Sequence, residues 1–329
     1  MGDVAVIGAG SWGTTLAHLL GEKGYEVSLW AYEKELADEI NLTRINRTYM
    51  PGIPLSDNIT ATVNLKEAVG KARYVLNVVP TQFTRSVFDG LSMHLSRDSI
   101  IISASKGIEN GTLKTVSFII EELTGQKVAA LSGPSFALDV INKLPTAVTI
   151  ASDDPERGGI LQELFNTDYF RVYTNTDVYG VELGGALKNV MAIASGISDG
   201  LGLGASTRAA LITRGLAEMI RLGVSTGAKE KTFGGLSGLG DLVLTCTGTL
   251  SRNYRVGYKL GRGEKLSDIL LHMKMVAEGI ATSKSAYELS RKHDVEMPII
   301  EQIYKVVNED KRPDSAVKEL MMRSLKAEY

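Results

Sequence analysis

Short apolar runs recur through the first half of the chain and alternate with stretches of helical periodicity. The runs occupy residues 4–8, 27–30, 75–79, 100–103, 128–131 and 147–151. Several are continuous and rich in β-branched residues, as expected of strands buried on both faces of a parallel sheet. Strands alternating with helices predict a doubly wound α/β domain. The pattern changes from about Asp177. Residues 181–195, 207–222, 255–260, 266–275, 283–292 and 299–307 repeat at helical spacing, with almost no strand pattern between them. Glycine clusters at 200–204 and 234–240 read as loops. The expectation is two domains, 1–178 and 179–329, the second all helical.

Gly8, Gly10 and Gly13 form G-x-G-x-x-G between the first apolar run and a helical pattern at 14–20. That context predicts a Rossmann-like dinucleotide loop. Gly8 makes the tight turn, Gly10 lets backbone approach a pyrophosphate, and Gly13 lets helix and strand pack closely. The helix start then faces the phosphates with free N–H groups. The second strand should lead to an acidic residue near the adenosine ribose, about 20 residues on. The text there is Tyr32-Glu33-Lys34. Glu33 is an acceptor for a ribose hydroxyl, Tyr32 a ring for adenine, and Lys34 a cation for a 2′-phosphate. Both NAD and NADP are therefore expected to work, with modest discrimination.

Three later segments concentrate residues suited to chemistry. Lys106, in Ser105-Lys106-Gly107, follows an apolar strand, and the C-terminal ends of parallel strands are where such sheets bind ligands. Lys188 stands in an otherwise apolar stretch behind Gly184 and Gly185, each of which weakens a helix by roughly 1 kcal/mol. Close approach of another backbone or of a ligand would explain those glycines. A buried lysine loses proton affinity and can serve as a base; the plainer alternative is a snorkelling side chain. The third segment runs from Gly238-Leu239-Gly240-Asp241 through Thr245 to Ser251-Arg252-Asn253. A serine N-cap, an arginine and helix-terminal amides make a compact anion site.

Composition changes this picture little. Of 329 residues, 44% are hydrophobic and 22% charged, and the net charge of −2 gives no reason to expect nucleic acid or an anionic membrane as partner. Phosphate binding must come from a few placed cations and amides. No run approaches the length of a membrane span, no leader is visible, and a single cysteine, Cys246, forbids an internal disulfide. The cytoplasm is the expected compartment. His18, His94, His272 and His293 are scattered, so no metal site is expected.

The assembled motifs resemble those of bacterial-type NAD(P)-dependent glycerol-3-phosphate dehydrogenases along essentially the whole chain. They are Gly8-Ala9-Gly10-Ser11-Trp12-Gly13-Thr14, Ser105-Lys106-Gly107, Ser132-Gly133-Pro134-Ser135-Phe136-Ala137, Gly184-Gly185-Ala186-Leu187-Lys188-Asn189, Leu211-Ile212-Thr213-Arg214-Gly215-Leu216-Ala217-Glu218-Met219, and Gly238-Leu239-Gly240-Asp241-Leu242 with Ser251-Arg252-Asn253. The resemblance implies that Ser11 and Trp12 line the pyrophosphate loop and that Tyr32 or Glu33 lies near the adenosine. It puts Lys106 between cofactor and substrate, Gly133 and Ser135 against the substrate, and Ala137 against the cofactor. Lys188 is implied as proton acceptor with Asp241 beside it. Ser251, Arg252 and Asn253 are implied to hold the substrate phosphate, with Arg252, Val276 and Glu278 also near the cofactor. A homodimer supplying glycerol phosphate for phospholipid synthesis is implied as well. Tyr32 and Glu33 depart from the arginine or histidine of many relatives.

Two other readings stand beside this one. A β-hydroxyacid dehydrogenase would use the same anion site for a carboxylate. A non-catalytic dinucleotide sensor would have no need to bring Lys106, Lys188 and Asp241 to a common site.

Overall fold

The computed structural model describes residues 3–273, 276–325 and 327–328. Among them the chain forms two compact units. The first holds the residues up to Lys106 together with Lys114–Glu182; the second holds Gly107–Leu113 and the chain from Leu183 onward.

The first unit is built on eight strands: β1 (Asp3–Ile7), β2 (Val27–Trp30), β3 (Ile59–Thr62), β4 (Ala72–Asn77), β5 (Ile100–Ser103), β6 (Val128–Ser132), β7 (Thr146–Ala151) and β8 (Phe170–Asn175). They lie in the order β3-β2-β1-β4-β5-β6-β7-β8, so the chain winds outward in both directions from β1 and β4. Val4–Ile7 of β1, Val75–Leu76 of β4 and Ile101–Ile102 of β5 are buried, which is why these stretches read as apolar runs. The sheet is parallel except between β6 and β7, where Ser132 pairs with Thr149 in antiparallel register. The expected doubly wound parallel sheet is thus present, with one antiparallel pair in it. The β6–β7 connection carries the five-residue helix Ala137–Ile141. Sequence pattern also missed β3 and β8, the two edge strands.

The second unit is helical among its described residues. Its long helices are Val178–Gly200, which begins in the first unit, and Gly204–Ser225; Arg252–Gly261, Glu278–Lys292 and Pro298–Asn308 follow. The helix expected over 266–275 is observed as Leu266–Leu271; Lys274 and Met275 fall outside the described residues. The glycine cluster expected as a loop at 234–240 instead contains a π-helical turn, Leu236–Gly240, that runs directly into the helix Asp241–Thr247. No described helix is long and apolar enough to cross a membrane.

Candidate active site

In the first unit the glycine loop joins β1 to the helix Ser11–Glu22. Gly8 has φ +117°, and a Cβ on Gly13 would stand 1.8 Å from the Gly8 carbonyl oxygen, so both positions demand glycine. Over Gly10 a Cβ would meet nothing within 4 Å, and the helix begins there with no side-chain cap. Its first N–H groups, which have no partner inside the helix, are available to an anion. Asn46, fully buried, donates to the Ala9 carbonyl at 2.9 Å and to Thr14 Oγ1 at 2.8 Å, fixing the loop from a distant segment. Ser11 Oγ donates to the Tyr49 carbonyl at 3.1 Å. The buried Trp12 Nε1 has no partner among the described residues, an indole donor that a bound phosphate or ribose oxygen would satisfy. A sharp glycine turn, an uncapped helix start, open space above Gly10 and an unsatisfied donor together fit a dinucleotide pyrophosphate.

Lys106 stands in the loop after β5. That loop is ordered by Ser105 Oγ, which donates to the Val79 carbonyl at 2.6 Å and accepts from Asn77 at 3.2 Å. Lys106 Nζ donates to the Gly133 carbonyl at 2.9 Å, and Ser135 Oγ donates to the same oxygen at 3.1 Å. Three expected site residues thus meet at one carbonyl. Ala137 starts the next short helix, and its carbonyl accepts from Thr15 on the dinucleotide helix at 3.3 Å. Tyr32 is 81% exposed, lying edge-on to Trp30. Glu33 occupies the cap position of helix Lys34–Thr43.

In the second unit Lys188 is buried, and its Nζ lies 3.0 Å from Asp241 Oδ1. It also donates to Thr245 Oγ1 at 2.8 Å, while that hydroxyl donates to Asp241 Oδ1 at 3.1 Å. A carboxylate this close favours the ammonium form; burial works the other way. Cys246, the next residue, is buried with its thiol pushed up to about 12 by desolvation, with the Lys188 charge pulling it back and the Asp241 charge raising it. It is an inert packing group. Gly184 is explained by another backbone: a Cβ there would stand 2.8 Å from the Ser237 carbonyl oxygen, at the π-helical turn that leads to Asp241.

Ser251 caps the helix Arg252–Gly261, its Oγ accepting from the Tyr254 amide at 3.1 Å. The hydroxyl proton remains to donate. Asn253 Nδ2 donates to Asn189 Oδ1 at 2.9 Å, and Asn253 Oδ1 accepts from the Gly279 amide at 3.0 Å. Arg252 has no hydrogen bond or ion pair among the described residues. Burial lowers its proton affinity, the Glu278 charge opposes that, and Arg255 adds to it. A half-buried guanidinium at a helix start has the charge and donors that suit an anion. Glu278 opens the helix Glu278–Lys292, and Val276 is about half exposed just before it.

Sequence reasoning gave no role to Thr245, Asn189 or Asn46. Asn189 stood inside a recognised motif and Thr245 inside the third segment; Asn46 had no local mark at all.

The chain matches the family profiles described as NAD-dependent glycerol-3-phosphate dehydrogenase N-terminus over residues 3–158 and C-terminus over residues 177–318. It is 58% identical to the glycerol-3-phosphate dehydrogenase, NAD(P)+, of Citrifermentans bemidjiense, covering 99% of this chain and 98% of the relative. To the enzyme of the same name in Geobacter sulfurreducens it is 56% identical, over 99% of this chain and 98% of that one. The crystal structure of glycerol-3-phosphate dehydrogenase from Coxiella burnetii superposes with a TM-score of 0.95 at 40% identity, covering 98% of this chain and 99% of that one. On this agreement of sequence and fold, the chain belongs to the NAD-dependent glycerol-3-phosphate dehydrogenase family.

Proposed function

We propose that the chain interconverts sn-glycerol 3-phosphate and dihydroxyacetone phosphate, with Lys188 moving the proton at the C2 oxygen. NAD or NADP supplies or takes the hydride at C2. Residues 1–178 hold the dinucleotide, through Gly8, Gly10, Ser11, Trp12, Gly13, Tyr32, Glu33 and Ala137. Residues 179–329 hold the substrate.

The observation that carries this reading is the buried Lys188–Asp241–Thr245 cluster, joined through Asn189 to the Ser251-Arg252-Asn253 anion site. In reduction, the Lys188 ammonium donates its proton to the oxygen that gains charge at C2. In oxidation, neutral Lys188 takes the hydroxyl proton. Asp241 and Thr245 hold the amine in place and stabilise its charged form. Arg252, the Ser251 hydroxyl, the remaining Asn253 N–H and the helix start bind the phosphate, and that remote anchor orients the reacting carbon. Lys106, Gly133 and Ser135 add substrate contacts, and Val276 and Glu278 cofactor contacts.

A cytoplasmic homodimer feeding phospholipid synthesis completes the proposal; the resemblance supports it, and a buried single cysteine suits a reducing compartment. The test is absorbance at 340 nm with dihydroxyacetone phosphate and NADH or NADPH in turn. Oxidation of either dinucleotide only in the presence of this substrate supports the reading; activity confined to β-hydroxy or keto acids overturns it.

A further inference from the structure

The end of β2 lies beside the glycine loop. Ile7 is in register with Trp30, and the Gly8 amide donates to the Trp30 carbonyl at 3.1 Å. Glu33 follows three residues later in extended conformation. Its charge adds to burial in raising the Tyr49 phenol, and the Tyr49 carbonyl is the group that accepts from Ser11. Glu33 therefore stands at the corner between the second strand and the pyrophosphate loop, where sheets of this kind place the adenosine ribose.

The cations nearby already have partners in the chain. The Lys34 amine is hydrogen-bonded to Asp38 one turn along its helix. Arg47 Nη1 lies 3.3 Å from Glu39 Oε1, and the Arg47 backbone amide donates to the other oxygen of Glu39 at 3.3 Å. Arg44 is spent on the carbonyls of Ser56 and Ile59. The Lys34 and Arg47 pairs are exposed, and such pairs add little stability. Their consequence is local neutrality: each cation that a 2′-phosphate could use carries its own carboxylate, which leaves Glu33, and Glu35 in the first helical turn, unbalanced.

We propose that Glu33, with Lys34 held by Asp38, makes this enzyme favour NAD(H) over NADP(H). A carboxylate there accepts hydrogen bonds from the ribose hydroxyls and repels a 2′-phosphate, which carries about −1.5 to −2 charges at neutral pH. The sequence alone allowed Lys34 to offset Glu33; its pairing with Asp38 weakens that offset. The inference rests on the dehydrogenase reading, and NADPH remains usable.

Calorimetric titration of the purified enzyme with NADH and with NADPH tests it without recourse to turnover. The parent should bind NADH at least about tenfold more tightly, a difference of about 1.4 kcal/mol. Glu33→Gln and Asp38→Asn should each narrow the gap by strengthening NADPH binding, the second by freeing Lys34 while leaving Glu33 in place. Equal or tighter binding of NADPH by the parent, or variants that shift both dinucleotides alike, would overturn the proposal. Binding of neither dinucleotide would instead count against the dehydrogenase reading on which it rests.

Discussion

Asn253 donates a hydrogen bond to Asn189 at 2.9 Å, and each of these asparagines adjoins a residue proposed to act on the substrate: Arg252 on one side, Lys188 on the other. Sixty-four positions separate them in sequence. The contact fixes the distance between the phosphate anchor and the proton-transfer group, because both asparagines are buried and Asn253 is also tied to the Gly279 amide. Placement of the reacting carbon depends on that spacing.

Asn253→Asp keeps an acceptor for the Gly279 amide. It loses the donor to Asn189 and sets a negative charge beside the phosphate. KM for dihydroxyacetone phosphate should rise roughly ten- to hundredfold, the weight of one hydrogen bond to a charged group. Steady-state kinetics with unchanged KM would show that Asn253 is only a structural tie.

Arg252→Ala should lower affinity and turnover together, and Arg252→Lys should rescue poorly because an ammonium cannot bind phosphate in a bidentate way. Glycerol, which lacks the phosphate, is the discriminating probe. Parent and variant should differ far less on glycerol than on glycerol 3-phosphate; an equal loss on both would refute the anchor assignment.

The central strands were legible because burial on both faces leaves an unbroken apolar run, as in Ile100-Ile101-Ile102 of β5. The edge strands were not. In Phe170-Arg171-Val172-Tyr173 of β8, buried and exposed residues alternate, and the polar positions break the run. The reversed direction of β7 leaves no mark on its own residues. In the site, Lys188 and Asp241 were legible because charged residues in apolar surroundings need a reason. Asn46 was not, since its partner Ala9 lies 37 positions away and nothing beside Asn46 hints at it. The glycines before Lys188 were noticed, but only the fold shows that Gly184 makes room for the Ser237 carbonyl rather than for a ligand.

Gly184→Ala tests that reading. The added Cβ would press on backbone at 2.8 Å, next to the turn that delivers Asp241. A loss of about 1–3 kcal/mol of stability is expected for such overpacking, with reduced turnover as Asp241 is displaced. Thermal unfolding and kcat measured on one preparation check it. A variant matching the parent in both would remove the close-approach explanation.

Glu218 gives a pH dependence of stability. Its carboxylate is buried and accepts from the Ile299 and Ile300 amides at 2.8 and 3.3 Å, where helix Pro298–Asn308 begins. Burial pushes its pKa from 4.5 up to about 7 despite those bonds. The folded state therefore holds a proton more firmly than the unfolded state. The resulting stability is fully present below pH 4.5 and is lost as pH rises through about 7. Its size is on the order of 3 kcal/mol. Glu218→Gln does not titrate, so its stability relative to the parent should improve between about pH 5 and about pH 8. A constant difference between the two in denaturant titrations across that range would mean that Glu218 is already ionised at the lower end.

The central claim is that Lys188, held by Asp241 and Thr245, transfers the proton at C2. Lys188→Met keeps the stem and removes the amine. The decisive measurement is the pH profile of kcat for glycerol 3-phosphate oxidation in parent and variant, with dinucleotide affinity measured alongside. The parent's rate should rise with pH as the amine becomes neutral. The variant should lose roughly 10²–10⁴ in turnover, lack that rising limb and bind dinucleotide as before. Near-parental turnover with an unchanged pH profile would contradict the account, leaving Lys188 a structural partner of Asp241 and sending the search for the base to Lys106.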